Sequence, residues 1–462
     1  MGYVFYDFLR VELFTPQIQT MLLPQNMTVA MDEVTSLDFS VKRVGTPTLE
    51  SHLTDVIFTD EDETVSYYAA PDINQQLLQQ GKKIPAFVAA GPRKLIYHDA
   101  QWTRAAIVTC GGICPGLNDV IKALVNTLYY TYGVDNIFGI QYGYSGLVPG
   151  NYKPMELNPD IVDDINMAGG TILSSSRGKQ DPEEMVKMLD RLHINILFTI
   201  GGDGTQRGAH AIAEEIRKRN LAISVVGIPK TIDNDLNFMD KTFGFETAVQ
   251  NAAPIITCAH NEAKGCPNGI GLVRLMGRDS GFVAAYATLA NSLVNFCLIP
   301  EVQFALMGEH GFLPAIERRL DARHHAVVVV AEGAGQNFFK GESVTDKSGN
   351  KLHNDIGIFL KDRILDYFKA CGKEVNVKYF DPSYNIRSTP ANAMDSVFCL
   401  LLAQHAVHAA MAGMTDILVA CWNGYFTYVP IELATYCRRK IDPHGTLWQS
   451  VLLSTREDRY WR

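Results

Sequence analysis

Two carboxylates one residue apart follow a predicted strand in the segment 227–235, whose sequence is Gly-Ile-Pro-Lys-Thr-Ile-Asp-Asn-Asp. The apolar run at 223–228 predicts the strand, and Asp233 and Asp235 lie in the loop beyond it. Side chains two positions apart on an extended backbone point to the same side, and ligands of parallel α/β sheets bind beyond the carboxyl ends of strands. One carboxylate could therefore accept a proton while the other holds a metal ion. Each aspartate taken alone is also typical of a surface turn or a helix cap.

Two glycine-rich loops follow other predicted strands. The strand at 195–200 ends in Gly-Gly-Asp-Gly-Thr at 201–205, and the strand at 105–109 ends in Gly-Gly-Ile-Cys-Pro-Gly-Leu-Asn at 111–118. Glycines let backbone N–H groups approach a phosphate, and Asp203 could hold its counter-ion. The loop at 111–118 is neither a dinucleotide-binding fingerprint nor a P-loop. A tight packing turn is the alternative interpretation of that loop.

These loops require a sheet whose strands alternate with helices. Residues 104–235 alternate in this way, and a second unit begins with a helical pattern at about 246–263 and a strand at 270–274. Such alternation predicts an α/β fold in which helices cover both faces of parallel sheets. We therefore predict two doubly wound parallel-sheet domains with an N-terminal extension that wraps the main body.

The predicted boundaries divide the chain into four parts. They are an N-terminal extension (1–96), a first α/β domain (97–236) to which a segment at about 415–445 returns, a second α/β domain (237–414) and a C-terminal tail (446–462). The first 25 or so residues carry no recognisable pattern, and the polar, glycine-rich stretch at 336–350 is typical of a mobile surface loop.

Composition limits the classes of function. The chain has 462 residues, of which 47% are hydrophobic and 20% charged, which is typical of a globular protein with more than one domain. The net charge of −9 argues against nucleic acid as a partner, since binding to its phosphates needs clustered lysine and arginine. No apolar run is predicted to reach transmembrane length, so no membrane partner is expected. The nine dispersed cysteines favour a reducing compartment, and we expect a cytoplasmic protein.

Four motifs, in this order and spacing, resemble the 6-phosphofructokinase family. They are the two glycine-rich loops at 111–118 and 201–205, Pro-Lys-Thr-Ile-Asp-Asn-Asp at 229–235 and Met-Gly-Arg at 276–278. The resemblance covers residues 97–455, and Asp-Pro-Ser-Tyr-Asn-Ile-Arg at 381–387 is similar to the branch of plant and trypanosomatid ATP-dependent enzymes. It implies transfer of the γ-phosphoryl group of ATP to the 1-hydroxyl of fructose 6-phosphate, with Mg²⁺ as cofactor. The first domain would bind the nucleotide and the second the sugar phosphate.

The resemblance also assigns site residues. Asp233 matches the general base, Thr231 and Arg177 match the other catalytic positions, and Asp203 and Asp235 match the positions near Mg²⁺. The nucleotide side corresponds to Gly111, Tyr144, Arg177, Gly178, Gly202, Asp203, Gly204, Thr205 and Lys230. The substrate side corresponds to Thr231, Asp233, Asp235, Met276, Gly277, Arg278, Glu332, Tyr384 and Arg387.

The chain departs from the family pattern at two positions. Bacterial members place an arginine of the neighbouring subunit near the position of Gly269, whereas this chain has Asn-Gly-Ile-Gly at 268–271, so either another basic residue serves or binding differs. Ser174 replaces a usual glycine, which could narrow the nucleotide pocket. A structural ion pair is the alternative role for Arg278 and Arg387, and Tyr144 could simply pack. The resemblance further implies a homotetramer or homodimer and allosteric regulation.

The phosphoryl donor is the main ambiguity. Pyrophosphate-dependent relatives usually carry aspartate at the position of Gly204 and lysine at that of Lys230, and this chain combines glycine with lysine. The resembled ATP-dependent branch has the same combination, so ATP is expected and pyrophosphate is the alternative. A non-catalytic, sugar-phosphate-sensing subunit would be expected to lose some of Asp203, Asp233 and Asp235. An NAD or lipid kinase would not carry the motif at 276–278.

Overall fold

A computed structural model describes residues 31–150, 152–339, 353–456 and 461. The predictions for the first 25 or so residues and for most of the loop at 336–350 lie outside these residues. The described strands are β1 (Lys42–Arg43), β2 (Leu49–Glu50), β3 (Thr64–Ser66), β4 (Ala86–Ala89), β5 (Leu95–Ile96), β6 (Arg104–Thr109), β7 (Asn136–Ile140), β8 (Met155–Leu157), β9 (Ile196–Gly201), β10 (Ser224–Pro229), β11 (Gly269–Leu275), β12 (Phe296–Leu298), β13 (His325–Ala331), β14 (Asn376–Phe380), β15 (Met414–Thr415), β16 (Ile417–Trp422) and β17 (Tyr425–Pro430).

The described α-helices follow the same chain order. They are α1 (Met31–Val34), α2 (Pro71–Gln79), α3 (Leu117–Asn126), α4 (Pro182–Arg191), α5 (Asp203–Lys218), α6 (Phe245–Lys264), α7 (Phe282–Asn291), α8 (Phe312–Arg323), α9 (Ile356–Ala370), α10 (Ser383–Arg387), α11 (Ala393–Met411), α12 (Ile431–Ala434) and α13 (Thr446–Thr455). A π-helical turn continues α3 at Thr127–Thr131, and 3₁₀ turns lie at Gly143–Leu147, Ile165–Met167 and Gln336–Phe338.

The first sheet has nine strands in the order β3-β4-β17-β16-β10-β9-β6-β7-β8. Its five central strands, from β16 to β7, run parallel, and antiparallel pairs extend the sheet at both edges. The N-terminal extension supplies β3 and β4, which join the sheet through pairing of Ala89 with Thr427. The described part of the extension thus supplies two strands of the first sheet.

The central strands of this sheet are apolar on both faces. On β6, Ala105 and Ile107 pack in one core and Ala106 and Val108 in another. Helices α3 and α11 cover the first face, and α4 and α5 cover the second. Burial on both faces explains the continuous apolar runs from which these parallel strands were predicted.

The second sheet has four parallel strands in the order β12-β13-β11-β14. Helices α6, α7 and α13 pack on one face, and α8 and α9 pack on the other. Trp448 and Val451 of α13 are buried in this core, so the C-terminal tail packs as part of the second unit. The chain thus has the two doubly wound α/β units that the sequence predicts.

Helix α11 packs in the first core, although the predicted boundary placed it in the second domain. Phe398, Leu402 and Ala406 are buried there, against α3. By length and composition α11 could cross a membrane, contrary to the expectation that no run reaches that length, but 56% of its apolar window is buried inside the protein. Packing between α3 and the first sheet accounts for its apolar composition.

Candidate active site

A cleft of about 610 Å³ is lined by residues that follow β6, β9 and β10 of the first sheet and β11, β13 and β14 of the second. Both sheets therefore present their carboxyl ends to it, as expected for a ligand site of α/β sheets. Fifteen predicted residues line the cleft: Gly111, Tyr144, Arg177, Gly178, Gly202, Asp203, Gly204, Thr205, Lys230, Thr231, Asp233, Asp235, Arg278, Glu332 and Arg387.

The first glycine loop lets two cations approach the backbone closely. Gly111 has a φ of 88°, which favours glycine, and a Cβ there would lie 3.2 Å from Lys230 Nζ. A Cβ on Gly112 would lie 3.2 Å from Arg177 Nη2. The buried Lys230 ammonium donates to Gly112 O at 2.7 Å. The loop therefore carries two positive charges at the wall of the cleft.

The second glycine loop places the N-terminus of α5 at the cleft. Helix N-termini attract anions through their backbone N–H groups and the helix dipole. At Gly204 an added Cβ would meet no atom within 4 Å, so the glycine leaves open space beside the helix start. The buried Tyr144 hydroxyl donates to Thr205 O at 2.7 Å, so this tyrosine is hydrogen-bonded to the first turn of α5.

Asp233 lies where the two units meet. Its Oδ2 accepts from the backbone N–H of Arg278 at 3.2 Å, and its carbonyl accepts from Ser280 Oγ at 3.2 Å. Burial away from water, followed by the negative charges of Asp235 and Glu332, raises the pKa of Asp233 to about 7. A carboxylate in that range can accept a proton near neutral pH.

Asp235 is more deeply buried and belongs to a cluster of charges. Thr231 Oγ1 donates to its Oδ1 at 2.7 Å, and burial raises the pKa of Asp235. Arg438 Nη1 donates to its Oδ2 at 3.3 Å and also contacts the Asp279 carboxylate. Arg438 Nη2 lies 3.8 Å from Asp203 Oδ2. Three carboxylates, from the start of α5 and from the loops after β10 and β11, therefore surround one guanidinium.

Arg274 on β11 organises the wall contributed by the second unit. Its Nη1 donates to Asp381 Oδ2 at 2.6 Å and its Nη2 to Glu332 Oε2 at 3.0 Å. Asp381 Oδ1 in turn accepts from the Ser383 backbone N–H at 3.1 Å at the start of α10, the short helix that carries Arg387. One half-buried cation thus contacts Glu332 and, through Asp381, the start of the helix that carries Arg387.

Three predicted residues do not line the cleft. Met276 is buried in the second core, and Gly277, with a φ of 128°, forms the turn that leads to Arg278. The Tyr384 ring is 79% exposed and lies 5.6 Å from the Arg387 guanidinium carbon. These residues could act on the site through the arginines that they adjoin.

The two departures from the family pattern have structural explanations. A Cβ on Gly269 would lie 2.0 Å from Ala263 O of α6, so no arginine fits there without movement of that helix. Ser174 has a φ of 56°, in the left-handed region that favours glycine. Ser174 does not line the cleft, so its expected narrowing of the pocket is not observed.

Among the described residues, one group of three potential metal ligands has all its ligand atoms within 4.8 Å of one another. It consists of His210, Glu214 and Asp416, and it lies away from the cleft. Lys42 Nζ donates to Asp416 at 2.9 Å, His210 pairs with Asp416 at 2.8 Å, and Arg217 pairs with Glu214. Because these cations satisfy the carboxylates, the group is an ion network that joins β1, α5 and the segment before β16.

Sequence reasoning missed part of the cleft. Arg438 lines it, and Asp279 contacts Arg438, but neither was assigned a role. An apolar end formed by Pro182, Met185 and Ala211 was also missed. The basic run at 438–440 was visible in the sequence, but no local pattern says that it returns to a cleft formed by residues about 200 positions earlier.

Comparison with known proteins gives consistent matches. The model of the family described as phosphofructokinase matches residues 104–410. The ATP-dependent 6-phosphofructokinase of Borreliella burgdorferi is 54% identical over 374 residues, which cover 79% of this chain and 84% of that protein. ATP-dependent 6-phosphofructokinase 7 of Arabidopsis thaliana is 49% identical over 377 residues, which cover 81% and 77%. A solved pyrophosphate-dependent phosphofructokinase from Marinobacter aquaeolei shares the fold, with a TM-score of 0.63 and 19% identity over 76% of this chain and 91% of its own.

Proposed function

The chain belongs to the phosphofructokinase family and is an ATP-dependent 6-phosphofructokinase, and we propose that its cleft transfers the γ-phosphoryl group of ATP to the 1-hydroxyl of fructose 6-phosphate. The products are fructose 1,6-bisphosphate and ADP. The observation that carries this assignment of the site is the position of Asp233. It lies between a first wall with Lys230 and the glycine loops and a second wall with Arg278 and Arg387.

Asp233 is proposed as the general base. Phosphoryl transfer asks the protein chiefly to place the reacting groups in line and to neutralise charge, with one group to take the proton of the attacking hydroxyl. A pKa raised to about 7 suits that task at neutral pH, since the base is then ionised in part and still basic. The backbone N–H of Arg278 holds the carboxylate in place. Thr231, which donates to Asp235, would lie beside the transferred group.

The first unit is proposed to bind the nucleotide. Its phosphates would lie against the glycine loops and the N-terminus of α5, with Lys230 and Arg177 neutralising their charge. Gly202 caps the start of α5, Thr205 lies in its first turn, and Gly178 follows Arg177, which lies close to the first glycine loop. The nucleoside would extend toward the apolar end of the cleft at Pro182, Met185 and Ala211. The open space at Gly204 supports a donor longer than pyrophosphate.

Asp203 and Asp235 are proposed to hold Mg²⁺. Carboxylate oxygens are the hard ligands that this ion takes from proteins, usually one or two together with substrate phosphates. The donor set fits, because Asp203, Asp235 and Asp279 already converge on one cation, the guanidinium of Arg438. When bound, Mg²⁺ would supply charge neutralisation to the phosphates. The contribution of the chain is to present these carboxylates from fixed loop positions.

The second unit is proposed to bind fructose 6-phosphate. Arg278 and Arg387 would hold its phosphate, since arginine forms paired, charge-assisted hydrogen bonds with phosphate oxygens. Glu332, held by Arg274, would accept from sugar hydroxyls. Met276 and Gly277 shape the turn before Arg278, and Tyr384 lies against Arg387, so we propose that these three act by placing the arginines.

We also propose a cytoplasmic homotetramer or homodimer that is regulated allosterically. All nine cysteines lie among the described residues and all are free thiols, which suits a reducing compartment. Tight backbone contacts leave Gly269 no room for a side chain, so a neighbouring subunit would need another residue to reach the sugar phosphate.

Initial rates with fructose 6-phosphate and either Mg-ATP or Mg-pyrophosphate, measured in parallel, test this function. We expect turnover with ATP and little or none with pyrophosphate. An Asp233→Asn variant, which keeps the shape of the side chain, supplies the blank for contaminating kinases. Preference for pyrophosphate would contradict ATP as donor, and absence of turnover with both donors would contradict the function itself.

A further inference from the structure

We propose that Arg438 is a built-in counter-ion which occupies the carboxylate cluster of Asp203, Asp235 and Asp279 in the nucleotide-free enzyme and thereby excludes free divalent metal. Metal would then enter only together with the nucleotide. The inference rests on the proposed function of the cleft, because it takes these carboxylates to be the metal position.

Arg438 contacts the carboxylates of Asp203, Asp235 and Asp279. Arg438 Nη1 lies 3.3 Å from Asp235 Oδ2 and contacts Asp279, while its Nη2 lies 3.8 Å from Asp203 Oδ2. The carboxylates come from the start of α5, the loop after β10 and the loop after β11. One guanidinium therefore meets all three, using both of its terminal nitrogens. The hydrogen bonds of Arg438 to Asp235 and Asp279 engage oxygen lone pairs that a metal ion would need.

Backbone hydrogen bonds hold the segment that carries Arg438 in place. Leu236 and Arg438 form an antiparallel β-bridge, and the Arg439 backbone N–H donates to Asp235 O at 2.9 Å. The buried Arg439 side chain donates to the carbonyl of Asp240 at 2.6 Å, which anchors the segment from the other side. The backbone of this C-terminal segment thus runs along the catalytic loop. Arg438 is delivered to the carboxylates by strand-like pairing rather than by a free surface side chain.

A divalent metal ion and the Arg438 guanidinium compete for the same carboxylate oxygens. A divalent ion that arrives alone must displace the guanidinium from these oxygens and brings no new acceptor for its hydrogen bonds. A metal bound to nucleotide phosphates brings phosphate oxygens, and these offer the displaced guanidinium new acceptors. The exchange conserves the number of charge pairs only when metal and nucleotide arrive together. The arginine therefore makes metal binding depend on nucleotide.

Arg207 provides a matched control within the same cleft. It also pairs with Asp203, through Nε at 3.2 Å, but its side chain is 57% exposed and it is paired with neither Asp235 nor Asp279. Removal of its charge changes the net charge of the cleft by the same amount. Among the residues that the structure describes, only Arg438 contacts all three carboxylates.

The test is titration of the nucleotide-free enzyme with Mn²⁺, with free ion followed by electron paramagnetic resonance. We expect weak binding to wild type, and at least tenfold tighter binding to Arg438→Met. Arg207→Met should bind like wild type, and adding Asp235→Asn to Arg438→Met should abolish the gain. Arg438→Gln provides the same comparison if Arg438→Met does not fold, as judged by thermal unfolding.

Unchanged Mn²⁺ affinity in a folded Arg438 variant would overturn the inference, as would an equal gain in Arg207→Met, which would indicate a general charge effect. The measurement uses no substrate. Wild-type turnover with fructose 6-phosphate therefore tests the proposed function separately. An active wild type with an unchanged Arg438 variant refutes the inference and leaves the function standing, whereas an inactive wild type refutes the function whatever the Mn²⁺ affinities are.

Discussion

Asp233 carries two requirements that oppose each other. As a base it must be ionised in part near neutral pH, and as a buried group beside Asp235 and Glu332 it is destabilised by its own charge. Its folded pKa lies above the unfolded value, so the cost to stability is absent at low pH and grows as pH rises toward 7. The ionisation that the proposed base needs thus lowers the free energy of unfolding near neutral pH.

Asp233→Asn should separate the two requirements. We expect kcat to fall by roughly 10²–10⁴, the range for loss of a positioned proton acceptor. We also expect the variant to gain stability relative to wild type, by roughly 1–3 kcal/mol more at pH 8 than at pH 5, since asparagine never ionises. Urea unfolding at both pH values measures the second effect. A pH-independent stability difference would contradict the raised pKa, and near-native turnover would end the assignment as base.

Gly204 is the residue at which donor choice can be tested. The open space beside it admits a side chain, so Gly204→Asp should fold and place a negative charge at the start of α5. At about 4 Å and an effective dielectric near 20, one like-charge contact with a phosphate costs on the order of 4 kcal/mol, enough to weaken ATP binding several hundredfold. Gly204→Ala adds the Cβ without the charge and should retain most ATP affinity. Equal losses of ATP affinity in both variants would indicate a steric effect. Unchanged ATP affinity in Gly204→Asp would contradict the idea that this position selects the phosphoryl donor.

Predictability at this scale depended on local motifs. Asp233, Gly204 and Lys230 lie in continuous segments whose residue types predict a strand end or a phosphate-binding loop. The structure places all three at one cleft. Arg438 and Asp279 carry no such local mark, because their proximity is created by a chain return that only tertiary structure shows.

At the scale of elements, Arg274 links β11, β13 and the helix that carries Arg387. Arg274→Leu should release Glu332 and the start of α10, so we expect the KM for fructose 6-phosphate to rise about tenfold or more, since charged hydrogen bonds contribute about 1.5–3 kcal/mol. The KM for ATP should change little. Arg274→Lys, which keeps one charged contact, should recover part of the affinity. Equal increases in both KM values would show a general loss of structure and not positioning.

Helix α11 carries a buried histidine whose titration can be isolated. Burial, followed by the charge of Arg93, lowers the pKa of His405 to about 4; its Nδ1 has no hydrogen-bond partner, and its ring stacks on Phe426 at 4.7 Å. Because the folded pKa is lowered, the histidine's contribution to stability is complete above pH 6.5 and is lost as pH falls toward 4. His405→Phe should therefore lose less stability on acidification, by up to about 1.4 kcal/mol per pH unit in denaturant titrations. Parallel pH profiles for wild type and variant would contradict the lowered pKa.

The elements that the sequence predicted well are those with two-sided apolar strands or strong helical spacing, such as β9, β10 and α5. The partners of these elements were harder to predict. Helix α11 follows the second unit in the chain yet packs on α3, because its apolar side chains fill the first core. The spacing of apolar residues indicates a buried face, but it does not say which sheet covers that face.

For the whole molecule, the N-terminal extension belongs to the first unit. Tyr67 stacks on Trp422 with ring centroids 5.0 Å apart, and Phe87 is fully buried in the same core. Deletion of residues 1–96 would uncover this core and leave β17 as an exposed edge strand. We expect the shortened chain to aggregate, as measured by soluble yield and size-exclusion chromatography. A soluble, monodisperse and active shortened chain would show instead that the extension is dispensable.

The pairs β1–β15 and β4–β17 can form only after the C-terminal partner strands have been synthesised. Lys42 and its partner Asp416 are 374 residues apart, and a ribosome that adds about 5–20 residues per second needs roughly 20–75 seconds to make that stretch. During this interval the early strands have left the exit tunnel while their partners have not yet been translated. Unpaired strand edges invite aggregation, so we expect nascent chains of this protein to be most prone to aggregation before β15 and β17 have emerged.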